Sequence, residues 1–193
     1  MRTLGHFLAY LTLGLWLGGL VLFGAILAPL AFNRLPPLFP NQAQGLHAAG
    51  VIVGGALTRL HWMGLICGII FLVVMLLLRV HFRSIIPQFV LVVAMLVITA
   101  YSQFSVIPRM DTARDSVGGN IEAVAPNNPG RQIFDRLHQV SVDLEIAVLA
   151  CGVSALAATA HLARYPGSQY PGSQLPPARV RPIEPPETVE TRP

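Results

Sequence analysis

The sequence predicts an all-α integral membrane protein, a bundle of four transmembrane helices, and three observations predict it. Of 193 residues, 53% are hydrophobic and only 11% charged, with a mean hydropathy of +0.60, which is far too apolar for a water-soluble domain of this size. Four apolar runs are long enough to cross a bilayer, which takes about 20 residues. Prolines and arginines punctuate the chain between those runs. The lipid bilayer is therefore the partner that composition demands. The net charge of +4 comes from 13 basic residues, all arginine and scattered over loops and tail. No basic patch for nucleic acid forms. No spacing carries a sharp catalytic signature, so enzymatic activity is not expected.

The first span covers residues 7–32, 26 residues without a charge. A cleavable signal peptide has an apolar region of about 7–15 residues, so this run reads as a retained helix. Gly14, Gly18, Gly19 and Gly24 notch its surface, and Gly14 and Gly18 form a G-x-x-x-G pair suited to close helix packing. Pro29 should loosen the last turn. The segment "NRLPPLFPNQAQ" then stops the helix. Residues 43–60 are small and apolar, and either an interfacial helix or an extension of the next span satisfies them.

The second span is expected over 58–78, with Trp62 at one interface and Arg79 and Arg83 at the other. The third is expected over 87–107, with Pro87 in its first turn. Its polar second half, Thr99, Tyr101, Ser102, Gln103 and Ser105, is expected to bond across helices. An irregular loop should follow from Arg109 to Asn128. Asn128 and Pro129 read as an N-cap and first helical residue, opening a fourth helix that crosses the membrane over 134–163. The last 28 residues hold half of the 16 prolines and the tandem "YPGSQYPGSQ", so 164–193 reads as a disordered tail beyond the 1–163 membrane domain. Cys67 and Cys151 lie in apolar runs without C-x-x-C spacing and read as structural thiols.

Spans one and two resemble spans three and four in their punctuation. "LAPLAFNRL" and "SVIPRMDTAR" each carry a proline followed by an arginine. "TRLHWMG" and "DRLHQVS" both carry Arg-Leu-His. Two helical hairpins, repeated about an axis along the membrane normal, are the architecture this implies.

The fourth span carries the candidate site. At 100° per residue His138, Ser141 and Glu145 share one helix face, while Asp143 points elsewhere. The equivalent positions on the second span are His61, Gly64 and Gly68, so the two glycines are expected to make room for Ser141 and Glu145. An acid near a helix centre costs about 2.5–3.5 kcal/mol on insertion scales, so Glu145 should be paired, with His61, His138, Arg59 or Arg136 as partners. Three readings stay open. These are interfacial residues, or a proton or cation relay, or a metal or haem site with His61 and His138 as ligands and Met63 and Met110 available to copper(I).

"LWLGGLVLFGAILAPLAF", "LTRLHWMGL" and "FDRLHQVS" resemble the transmembrane-protein-205-like proteins, the bacterial domain-of-unknown-function 4149 family, over residues 11–160. The marks are Trp16, Gly18, Gly19, Pro29 and Phe32, then Leu60 and His61, then Leu137, His138 and Ser141. In that family an asparagine often stands where this chain has Glu145. The resemblance implies four membrane helices, no established enzyme activity, and a role in export, trafficking or metal handling. A more distant similarity to CopD-like copper-resistance membrane proteins keeps the metal reading open, with haem b or copper as the alternatives for a cofactor that the sequence leaves unknown.

The expected role is therefore handling of, or resistance to, a small solute, ion or metal. A haem- or copper-binding redox protein is the alternative, and an accessory subunit of a membrane complex, or a homo-oligomer, is another. The arginines divide almost evenly between the two faces. The dense "RVHFR" loop and the basic start of the tail place both termini in the cytoplasm, with the protein in the inner (plasma) membrane.

Overall fold

The computed structural model describes residues 2–77 and 82–164. Arg79 and the tail from residue 165 lie outside the described residues. Four helical segments are long and apolar enough to cross a membrane, Leu4–Leu38, Gln42–Leu77, Ile86–Asp115 and Pro129–Ala158, and the protein is a multi-pass membrane protein.

The first span is made of α1 (Arg2–Leu22), a π-helical turn (Phe23–Leu27) and α2 (Ala28–Arg34). The second is the single helix α3 (Gln42–Leu77). The third repeats the first, with α4 (Phe82–Tyr101), a π-helical turn (Ser102–Val106) and α5 (Ile107–Asp115). The fourth is α6 (Pro129–Arg164).

Both π turns have the same cause. Pro29 and Pro108 are each the second residue of the helix that succeeds the turn. A proline has no N–H for the carbonyl four residues back, Ala25 or Phe104, and its ring crowds that carbonyl, so the helix widens there. The proline punctuation seen in sequence is thus a repeated backbone feature, at the same place in both odd-numbered spans.

Several boundaries differ from expectation. Of the two alternatives open for residues 43–60, the extension is the one observed: they are the first half of α3, and Arg59 and Trp62 therefore lie midway along a 36-residue helix. At 1.5 Å per residue that helix is about 54 Å long, well beyond the roughly 30 Å hydrocarbon core. Gly45 lets its start close against the preceding turn, since a Cβ there would strike the Pro36 backbone. Pro87 lies inside α4, five residues after its first. The loop expected from Arg109 is helical as far as Asp115, and the turn that ends it places Gly118 and Gly119 at φ 81° and 88°, a left-handed region that favours glycine. Asn128 caps α6 as expected, its side-chain oxygen accepting from Gly130 N–H at 2.8 Å and Arg131 N–H at 3.4 Å.

The first span packs chiefly on α3 and the third chiefly on α6, giving two hairpins. They meet through α3 against α4 and, more lightly, α1 against α6. Between them lie Trp16, Leu13, Phe71, Val92, Met95 and Val148, all at most 2% exposed. Leu11, Leu15, Ile66, Val97 and Val153 face outward, as a lipid-facing surface requires. Lipid tails are as apolar as these side chains, so contact and fit hold the helices together rather than escape from water. Trp16 is the clearest case. A Cβ on Gly64 or Gly68 would overlap its indole, so the two glycines form the seat of the tryptophan.

Candidate functional site

Gly64 and Gly68 open α3 toward Trp16, with Leu96 of α4 also against Gly68. The space expected for Ser141 and Glu145 is therefore taken by α1 and α4. Gly14 and Gly18 face away from the bundle, with none of the described residues within 4 Å of where a Cβ would stand.

His61 is nonetheless joined to Glu145. Its Nε2 lies 2.5 Å from Glu145 Oε1, and its Nδ1 lies 3.0 Å from Gln103 Oε1. The imidazole is 1% exposed and the Glu145 side chain 17%. With an amide oxygen facing one ring nitrogen and a carboxylate oxygen facing the other, both nitrogens meet acceptors. Nδ1–H donates to Gln103, and one further proton is held between Nε2 and Oε1. Wherever that proton rests, the pair is neutral overall, which is the condition for burying it in an apolar bundle.

Glu145 Oε2 is buried without a hydrogen-bond partner among the described residues, as are Thr99 Oγ1 and Ser102 Oγ on the third span. Unpaired buried oxygens of this kind are costly and uncommon. They give the centre of the bundle spare capacity to accept hydrogen bonds from something further.

A cleft of about 780 Å³ approaches this centre from the end that carries the 35–41 and 116–128 connections. One wall is the first span from Leu20 to Phe32, and the other is the first half of α3. The far side comes from α5 and α6, including Met110, Phe134, His138, Ser141 and Glu145. Apolar side chains make most of the surface, and the acids gather at the mouth. Asp111, Glu122 and Asp135 are there with Arg114, whose Nη1–H donates to Asp111 at 3.0 Å and whose guanidinium lies 5.1 Å from the Phe134 ring centre. Arg131 reaches Glu122 at 3.3 Å and Asp135 at 3.8 Å.

The other residues that the sequence singles out fall in different places. His138 is exposed in the cleft and stacks on Phe134 at 6.2 Å. Ser141 is buried one turn deeper. Arg59 is exposed on α3 and donates to the Gly55 carbonyl at 3.1 Å, and Arg136 lies in a second, shallower groove beside Arg109. Neither arginine meets Glu145. Asp143 faces outward and accepts from Gln139 at 3.1 Å. Met63 packs against Gly19, away from Met110. Two histidines and two methionines therefore do not form one ligand set, since His61 already spends both nitrogens. No group of three or more His, Cys, Asp or Glu able to hold a metal occurs among the described residues.

Gln103 is the residue that sequence reasoning left out of the site. It stood in a run expected to bond across helices, but nothing local tied it to His61. The proline alignment supplies the missing signal. Gln103 stands five residues before Pro108, as Gly24 stands five before Pro29.

A family model described as Domain of unknown function (DUF4149) matches residues 11–117. The chain belongs to that family. The match takes in the first three spans of this DUF4149 protein, with Trp16, Gly24, His61 and Gln103, and stops before α6 with His138, Ser141 and Glu145. No curated protein and no solved structure matches the chain.

Proposed function

We propose that this protein handles a small solute at the membrane by taking it into the cleft between its two hairpins. The observation that carries the reading is Glu145. One of its oxygens shares a proton with His61 and the other is buried without a partner among the described residues, beside a cavity of about 780 Å³. A purely structural ion pair has no need of such a space, and sites of this size with apolar walls and a few converging polar groups are typical of small-molecule binding. The shared proton gives the site a means of exchanging charge as a solute arrives. A haem or copper role gains no support from the donor geometry. The resemblance to transmembrane-protein-205-like proteins points the same way, toward export or resistance. On this reading the protein resides in the inner membrane with both termini in the cytoplasm, and the cleft opens to the opposite side.

The test is a solute-sensitivity screen comparing cells with and without the gene. Glu145→Gln and His138→Ala should each remove a solute-dependent phenotype at unchanged membrane abundance. Wild-type behaviour from both variants would overturn the reading.

A further inference from the structure

The two hairpins share punctuation, but the interfaces between them are not alike, and the difference indicates what the cleft holds. On one side α3 meets the third span, and the gap beside His61 is filled by Gln103, the second residue of the π turn. On the other side α6 faces the first span, and the corresponding second residue is Gly24. None of the described residues lies within 4 Å of where a Cβ on Gly24 would stand. His138 corresponds to His61 and lines the same cleft as Gly24. The place that a glutamine side chain fills in one half of the molecule is open in the other.

The chemistry around that open place favours a donor with positive charge. Glu145 Oε2 lacks a partner among the described residues and can only accept hydrogen bonds while ionised. Ser141 and His138 lie on the same face of α6, one and two turns nearer the mouth, and each can accept. Four carboxylates line the cleft, Asp111, Glu122, Asp135 and Glu145, against one guanidinium among the described residues, Arg114. Arg114 is tied to Asp111. Counting Arg131 and the His61 proton as well leaves one carboxylate in excess, in a protein whose net charge is +4. An anion would meet carboxylates from mouth to base. The apolar walls from Leu20, Phe23, Val53 and Leu57 leave few oxygens to replace the hydration shell of a metal ion.

We propose that the cleft binds a lipophilic organic cation, a protonated amine on an apolar body, with its ammonium seated between Gly24, His138 and the free oxygen of Glu145. This rests on the small-solute reading and specifies its substrate class. The acids at the mouth draw the cation in by their field. The apolar walls hold its body, and Glu145 releases its hold on His61 to the extent that the ammonium replaces it.

The test uses three naphthyl probes, the isosteric pair 1-naphthylmethylamine and 1-naphthylmethanol and the slightly larger anion 1-naphthaleneacetate, with the full-length protein in phosphatidylcholine nanodiscs. Saturable binding is read by naphthyl fluorescence against empty nanodiscs. The amine should bind at least tenfold tighter than the alcohol, and the acetate more weakly than either. Gly24→Gln places a glutamine where the other hairpin has one and should abolish binding of amine and alcohol alike, whereas Gly14→Gln on the outer face should change neither. Glu145→Gln should bring the amine to the level of the alcohol. If that variant does not fold, the preference of the unaltered protein for amine over alcohol still decides the charge, and Gly24→Gln the place. Equal binding of amine and alcohol, both lost in Gly24→Gln, would overturn the cation assignment and leave the cleft as the solute site. Tightest binding of the acetate would likewise overturn the assignment. No saturable binding of any probe would overturn both.

Discussion

Removing His61 should cost more than a buried histidine of its size would suggest, because two groups depend on it. In His61→Ala the Glu145 carboxylate loses its only hydrogen-bond partner among the described residues, since Oε2 already has none, and Gln103 Oε1 loses its donor. Breaking one side of a buried ion pair costs about 3–5 kcal/mol, and an orphaned amide oxygen adds about 1 kcal/mol. The carboxylate can take up a proton and become neutral, which brings the expected loss to about 3 kcal/mol. Glu145→Leu, which removes the charge itself, should cost less. In the double variant the penalty of the abandoned carboxylate disappears, so the two losses should fall short of additivity by about 2 kcal/mol, within the range of directly contacting residues. Unfolding of the wild type and the three variants in mixed micelles of increasing SDS fraction, followed by loss of helical circular dichroism, measures the cycle. Additive losses would refute the pairing, and so would a His61→Ala cost below that of Glu145→Leu.

Other consequences concern packing and topology. Gly64→Ala puts a methyl group into the Trp16 indole and should destabilise by about 1–3 kcal/mol, while Gly14→Ala should stay within about 0.5 kcal/mol, both read by the same SDS titration. Asn128→Ala removes the cap of α6 and should cost about 1 kcal/mol, with faster hydrogen exchange at Gly130 and Arg131. Tags at the two termini should both be protected from protease added to spheroplasts, and cleavage of either would reverse the proposed orientation.

Much of the fold is legible because a bilayer imposes its length on the sequence. The uncharged run from Phe7 to Phe32 admits few other readings. Where expectation and structure part, the deciding contacts are tertiary. Composition leaves residues 43–60 open between an interfacial helix and an extension of the second span, and packing of Gly45 against Pro36 and of α3 along the first span makes them one continuous helix with residues 61–77. In the site, helical spacing suffices to put His138, Ser141 and Glu145 on one face and Asp143 off it. The partner of Glu145 is harder, because four basic groups were within plausible reach, and two of them, Arg59 and Arg136, point elsewhere by rotation around their helices. Gln103 was hidden for a different reason. Gln103 lies within the π turn, where the backbone is wider than an ordinary helix, so its facing cannot be read from a regular 3.6-residue period. The glycines of α3 illustrate the same limit, since spacing indicates their face, but only Trp16 shows what fills it.

The central claim is that the cleft is reachable from water and leads to Glu145 past Gly24. In a background of Cys67→Ala and Cys151→Ala, a cysteine introduced by Gly24→Cys can be challenged with a membrane-impermeant maleimide, with Gly14→Cys on the lipid-facing side of the same span as control. Modification is expected at position 24 from one side of the membrane only, slowed by 1-naphthylmethylamine, with none at position 14. Equal reactivity at the two positions, or labelling at 24 that the amine does not slow, would contradict the claim.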